Sequence, residues 1–150
     1  MFQVRGRMWI RGVIQTYLGN DQKHTLSIYN AEVLGLENGN PAARMSQPEV
    51  VINKPSASVI LLEVRPPEWA MPLMPRSESL VAYTNSFAVM GLYHLPADGR
   101  VQDFAALYPT DFVLALEVKI FPLFQARAGL VQTAPVALVH KRAINLFHAI

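Results

Sequence analysis

The sequence has no cysteine, which excludes disulfides, thiolate metal sites and cysteine nucleophiles. Charge is scarce. Only 16% of the 150 residues are Asp, Glu, Lys or Arg, and 13 basic against 11 acidic residues leave a net charge of +2. That excess is a weak field, and no run of basic residues concentrates it. No apolar run approaches the ~18 uncharged residues with helical character that a membrane span requires. The uncharged stretch 80–95 holds Thr84, Asn85, Ser86, Gly91 and His94 and is rich in strand-forming residues. The start, MFQVRGRMWIRGV, scatters arginines among apolar residues and lacks the basic-then-apolar order of a leader. We therefore expect no membrane span and a cytoplasmic location.

Catalytic signatures are equally sparse. His24, His94, His140 and His148 form no HExxH motif and no pair at helical spacing. Neither a GxSxG elbow nor a GxxxxGK[ST] phosphate loop occurs. Asp98 precedes Gly99 in a turn dipeptide, which accounts for it without chemistry. These absences lead us to expect a protein that is not an enzyme, with no cofactor and no metal.

What is present is a large apolar fraction and much punctuation. Hydrophobic residues make up 51% of the chain, so a core must form, and 11 prolines with 8 glycines argue against long helices. The length suits one ordinary domain or two very small ones. Apolar residues recur with a period near two from Arg5 to Ile14, so a strand bent near Gly12 is expected there. Turn clusters at 18–22 and 37–41 bracket expected strands at 25–29 and 31–37. Strands at 49–53 and 58–64 flank a break at 53–56. In the second half, one or two strands are expected at 79–95, passing through Gly91, and a helical turn or short strand at 100–107. The segment 111–121 alternates, with Phe112, Leu114, Leu116, Val118 and Ile120 on one parity. Strands at 136–140 and 143–148 end the chain. Between the halves, 65–77 contains four prolines, which forbid a helix or a central strand. Trp69, Met71, Leu73 and Met74 make this connector too apolar for a free linker.

The two halves look alike. VLGLE at 33–37 can be laid on VLALE at 113–117, Gly12 on Gly91, and VVINK at 50–54 on ALVHK at 137–141. The offsets are 80, 79 and 87 residues, and the order of the three segments is kept. The expectation is an all-β chain of two related units, 1–64 and 79–150, joined by the proline-rich connector 65–78. Units this small have little interior and gain stability by packing on each other or by sharing a sheet. Open strand edges would then invite further subunits.

Each half resembles an Sm-like small β-barrel. The likeness rests on a bent strand with a glycine, Leu26-Ser27 and Tyr29-Asn30 with a degenerate counterpart at 101–104, and a paired strand, tight turn and strand near each Lys. Asn53-Lys54 and His140-Lys141-Arg142 stand where that family carries Arg-Gly. The resemblance is to uncharacterised bacterial Sm-like domains and implies two tandem small Sm-like β-barrel units. Two functions follow as expectations. The first is a structural subunit, a homo-oligomer or part of a larger assembly, with Trp69, Met71, Leu73 and Met74 at the interface. The alternative is RNA binding. It would use Arg5, Arg7 and Arg11 as a basic stripe, Tyr29 and Asn30 at a base, and Asn53, Lys54, Lys141 and Arg142 in the loops.

Overall fold

A computed structural model describes residues 1–41 and 44–150. The chain begins with strand β1 (Phe2–Arg7), a short helix α1 (Ile14–Leu18), and strands β2 (Thr25–Gly35) and β3 (Arg44–Asn53). A 3-10 turn (Lys54–Ser56) leads to β4 (Val59–Leu62). After the connector come β5 (Arg76–Tyr83) and β6 (Phe87–Leu95), a 3-10 turn (Val101–Asp103) and helix α2 (Phe104–Leu107). Strands β7 (Phe112–Pro122) and β8 (Thr133–His140), a 3-10 turn (Lys141–Ala143) and β9 (Leu146–Ala149) complete it. Every named strand is antiparallel to its neighbours. The all-β expectation holds.

The strands form a three-stranded sheet, β1-β2-β3, and a six-stranded sheet, β4-β8-β7-β6-β5-β9. Among the described residues neither closes into a barrel. The first-half strand β4 lies outside the first-half sheet and pairs with β8, from Val59 opposite Val139 to Leu62 opposite Val136. Four β4 side chains, all half-buried, thus extend the second-half sheet.

Both faces of the six-stranded sheet are covered, so the centre of β7 reads as a continuous apolar run. One face carries Val113, Ala115, Val118 and Ile120 into a core with Tyr93, Phe104 and Val139. The other carries Phe112, Leu114 and Leu116 into a core with Ile14 and Leu18 of α1, Leu26 of β2 and Met71 of the connector. The even-numbered residues therefore change face along β7, contrary to the single apolar parity expected from sequence. The cause is Glu117, at φ 50°, where β7 has one residue more than β6. An inserted residue shifts the two-residue alternation by one. Gly91 of β6 lies at the same crease. A Cβ there would stand 2.8 Å from Val118 Cγ1 and 3.0 Å from the Leu116 carbonyl oxygen, so only glycine fits without displacement.

The first half builds the same crease from Gly6, Asn30 at φ 49° and Pro48 on β1, β2 and β3. A Cβ on Gly6 would come within 2.6 Å of the Tyr29 carbonyl oxygen. In the second half Pro135 stands beside Glu117, at the rung between Leu116–Val136 and Val118–Ala134. Asn30 to Glu117 and Pro48 to Pro135 are both 87 residues. Gly6, and not Gly12, is therefore the counterpart of Gly91. Gly12 lies beyond β1, at φ 74° in a loop. The match of 33–37 with 113–117 is corrected too, since the common offset of 87 lays 33–37 on 120–124. The match of 50–54 with 137–141 has that offset and superposes two β-strand ends, each entering a 3-10 turn at its Lys.

The strand expected over 5–14 ends at Arg7, and α1 occupies 14–18 with Ile14 and Leu18 buried. An isolated five-residue helix has no stability in water, so tertiary burial selects it over the strand suggested by local pattern.

Candidate assembly interface

The two units share a second local device. The Lys54 Nζ donates to the Asn20 carbonyl oxygen at 2.8 Å, just beyond α1. The Lys141 Nζ donates to the Tyr108 carbonyl oxygen at 3.1 Å, just beyond α2. Backbone bonds repeat likewise: Lys54 N–H to His24 and Lys141 N–H to Asp111, each pair spaced by the same 87. A cation on the carbonyl that follows a helix satisfies an acceptor the helix leaves open. Lys54 is only 6% exposed. Both lysines thus hold helix ends, rather than standing in open loops.

His140 is buried at the start of the 3-10 turn Lys141–Ala143. Its N–H donates to the Ser58 carbonyl oxygen, its Nδ1 accepts the Arg142 N–H at 3.2 Å, and its ring meets Phe112 edge-on at 4.9 Å. Burial lowers its pKa below 6.5; Asp111 opposes that shift, while Arg142, Lys54 and Lys141 add to it. Its counterpart in the first unit is Asn53, which is exposed.

The strand edges distinguish the units. Val136, Ala137, Leu138 and Val139 of β8 are fully buried, with β4 paired along their edge and a core on each face of the sheet. Among the described residues β3, the counterpart of β8, pairs with β2 alone, and β9, the counterpart of β4, pairs with β5 alone. Each open edge exposes apolar side chains. Val51 on β3 is 59% exposed and Leu146 on β9 is 56% exposed. Neither residue stands out by sequence pattern. The 87-residue offset marks them, since it maps Val51 to the buried Leu138 and Leu146 to the half-buried Val59.

The connector residues separate. Met71 is fully buried in the core between the units, Leu73 packs against that core, and Met74 packs against the other one. Trp69 is 73% exposed. The Ala70 carbonyl oxygen accepts the Ile14 N–H and the Pro72 carbonyl oxygen accepts the Gln15 Nε2–H, so the connector straps α1 in place.

The basic residues are not brought together as a stripe. Arg5 is ion-paired with Glu63 at 2.6 Å. The register shifts between Arg5 and Arg7, and Arg11 lies outside β1, so the shared strand parity expected for the three is broken. Tyr29 and Asn30 lie exposed at the first crease, and Arg142 is exposed in the last 3-10 turn. Among the described residues no group of three or more His, Asp or Glu is placed to hold a metal ion, and no helix is long and apolar enough to cross a membrane.

No family model, curated protein or solved structure matches the chain.

Proposed function

We propose that this chain is a non-catalytic assembly protein, a tandem β subunit that packs with copies of itself or within a larger complex. One observation carries the reading. The chain already joins its two units by strand addition, β4 onto β8, and leaves the equivalent edges open with exposed apolar residues on both. An open edge bearing apolar side chains favours pairing with another chain. The order β8-β7-β6-β5-β9, with a 3-10 turn between β8 and β9, supports reading the second half as an Sm-like unit. The cytoplasmic location belongs to the same proposal. RNA binding has less behind it, because Lys54 and Lys141 are bonded to backbone carbonyls and Arg5 to Glu63.

Light scattering on the full chain across a wide concentration range tests this. The expected result is a mass that rises in whole multiples of the chain mass. A monomer at every concentration, with no partner retained through purification from its native source, overturns it.

A further inference from the structure

Both tryptophans of the chain stand in the open. Trp9 is 76% exposed and Trp69 is 73% exposed, although tryptophan has a large apolar surface to hide. They belong to two segments, 5–14 and 63–70, that are tied together at both ends. At one end Arg5 Nε donates to Glu63 Oε1 at 2.6 Å. At the other the Ile14 N–H donates to the Ala70 carbonyl oxygen at 2.8 Å. Both segments roof the same core. Met8, Ile10 and Ile14 pack into it from the first, and Met71, directly after the second, is buried there. Their outward side chains therefore share one face.

Alternation decides what the first segment shows. With Met8 and Ile10 turned to the core, Arg7, Trp9 and Arg11 turn outward and are exposed. From the second segment Val64, Arg65 and Trp69 are exposed, Val64 by 76%. The charge of this face is one-sided. Arg5 is neutralised by Glu63. Among the described residues Arg7, Arg11 and Arg65 enter no ion pair. Set against exposed Glu68, these three leave an excess of two positive charges, which equals the net charge of the whole chain. Folding thus concentrates the basic excess where the tryptophans are.

We propose that this face docks on an anionic lipid surface. Trp9, Val64 and Trp69 enter the headgroup region, and Arg7, Arg11 and Arg65 pair with lipid phosphates and carboxylates. Tryptophan suits that boundary, because its ring is apolar and its N–H still needs a polar partner. Arginine stems lie along the apolar surface while the guanidinium groups stay at headgroup level. Apolar burial and charge attraction then add. A single-stranded nucleic acid would use the rings and the arginines but not Val64, which offers neither a ring nor a charge. The face is also held in shape. The Pro67 carbonyl oxygen accepts the Ala70 N–H at 3.0 Å and the Met71 N–H at 3.1 Å, so Trp69 stands on a closed turn. Docking then requires little further ordering. Neither open strand edge is involved, so the inference goes beyond the assembly reading and does not depend on it.

Intrinsic fluorescence reads this face alone, because the chain has no other tryptophan. With equimolar phosphatidylserine–phosphatidylcholine vesicles the full chain is expected to co-sediment and to shift its emission to the blue. With phosphatidylcholine vesicles it is expected to stay in solution. Arg7→Ala with Arg11→Ala keeps both tryptophans and should weaken binding about 25-fold, at about fivefold per arginine near a charged surface. Trp9→Ala with Trp69→Ala should abolish co-sedimentation at the same lipid concentration. All four positions are exposed, so circular dichroism should not change. No binding to either vesicle, or equal binding to both, overturns the proposal. A blue shift that grows with protein concentration in place of vesicle binding overturns it too, since another copy would then cover the face. A fluorescence change with single-stranded RNA but not with vesicles overturns it in favour of nucleic acid. A chain that is monomeric in light scattering yet binds the anionic vesicles would overturn the assembly reading and leave this one standing.

Discussion

The two units of this chain share their construction and differ in what covers their edges. Each has a glycine, a left-handed residue and a proline across three strands, and each has a lysine holding the end of a short helix. Yet β8 is buried and β3 is exposed. The strands are built alike, but β8 has the guest strand β4 on its edge and a core on each face of its sheet, while β3 has neither. The burial of such a strand is therefore a property of what pairs with its edge and of what packs on its faces.

The sharpest way to break that comparison is to truncate the same position in both units. Leu138→Ala should lower stability by about 2–5 kcal/mol, because the side chain is fully buried and leaves a cavity. Val51→Ala, its counterpart, should change the dilute monomer by less than about 0.5 kcal/mol. Urea unfolding of both variants checks this, and equal losses would show that the β3 edge is already covered.

The lysine caps come next. Lys54→Met keeps the apolar stem and removes a charge-assisted hydrogen bond, at a cost of about 1.5–3 kcal/mol. Lys141→Met should cost less, since Lys141 is half-buried and its bond is longer, 3.1 Å against 2.8 Å. Thermal unfolding in parallel would reverse the ranking if the second cap were the more important one.

The creases differ in strain. Glu117→Gly should stabilise by about 1 kcal/mol, because a left-handed conformation disfavours side chains such as glutamate. Asn30→Gly should gain only a few tenths of a kcal/mol, since asparagine tolerates that region. Unfolding midpoints measure both, and a loss at position 117 would point to an interaction of the Glu117 side chain.

The smallest effect concerns pH. His140 has its pKa lowered by burial, so the folded chain resists protonation that the unfolded chain accepts. Its contribution is complete above about pH 6.5 and falls as the pH drops below that value toward the folded pKa. His140→Asn, which copies the residue at position 53, should flatten this part of the profile. Urea midpoints near pH 7.5 and 5.5 test it, and an unchanged slope would remove His140 as the cause.

Much of the fold is legible in the residues. Periodicity and turn chemistry locate the strands, because a half-buried strand needs alternation and a turn needs Gly, Asn, Asp or Pro. The match of 50–54 with 137–141 is real at the level of structure, since both segments are strand ends closed by a lysine that caps a helix. The glycine match fails because Gly12 and Gly6 both follow arginine, and only the close approach of Tyr29 separates them. Helix α1 is not legible, since its two buried residues, Ile14 and Leu18, gain their partners from the other half. The interface edges are not legible either. Val51 and Leu146 are ordinary strand residues until the topology leaves their outer sides open.

By itself the sequence determined the strand-rich composition, the absence of thiol chemistry, the proline connector and the likeness of 50–54 to 137–141. These follow from covalent properties of residues: which dihedrals they allow, which groups they donate and how apolar they are. Only the tertiary structure decided that β4 leaves its own unit for β8, that even-numbered residues of β7 switch faces at Glu117, and that β3 and β9 remain open. Those outcomes depend on which strand wins an edge. That competition is between backbone groups common to every residue, so side-chain identity alone does not record its result.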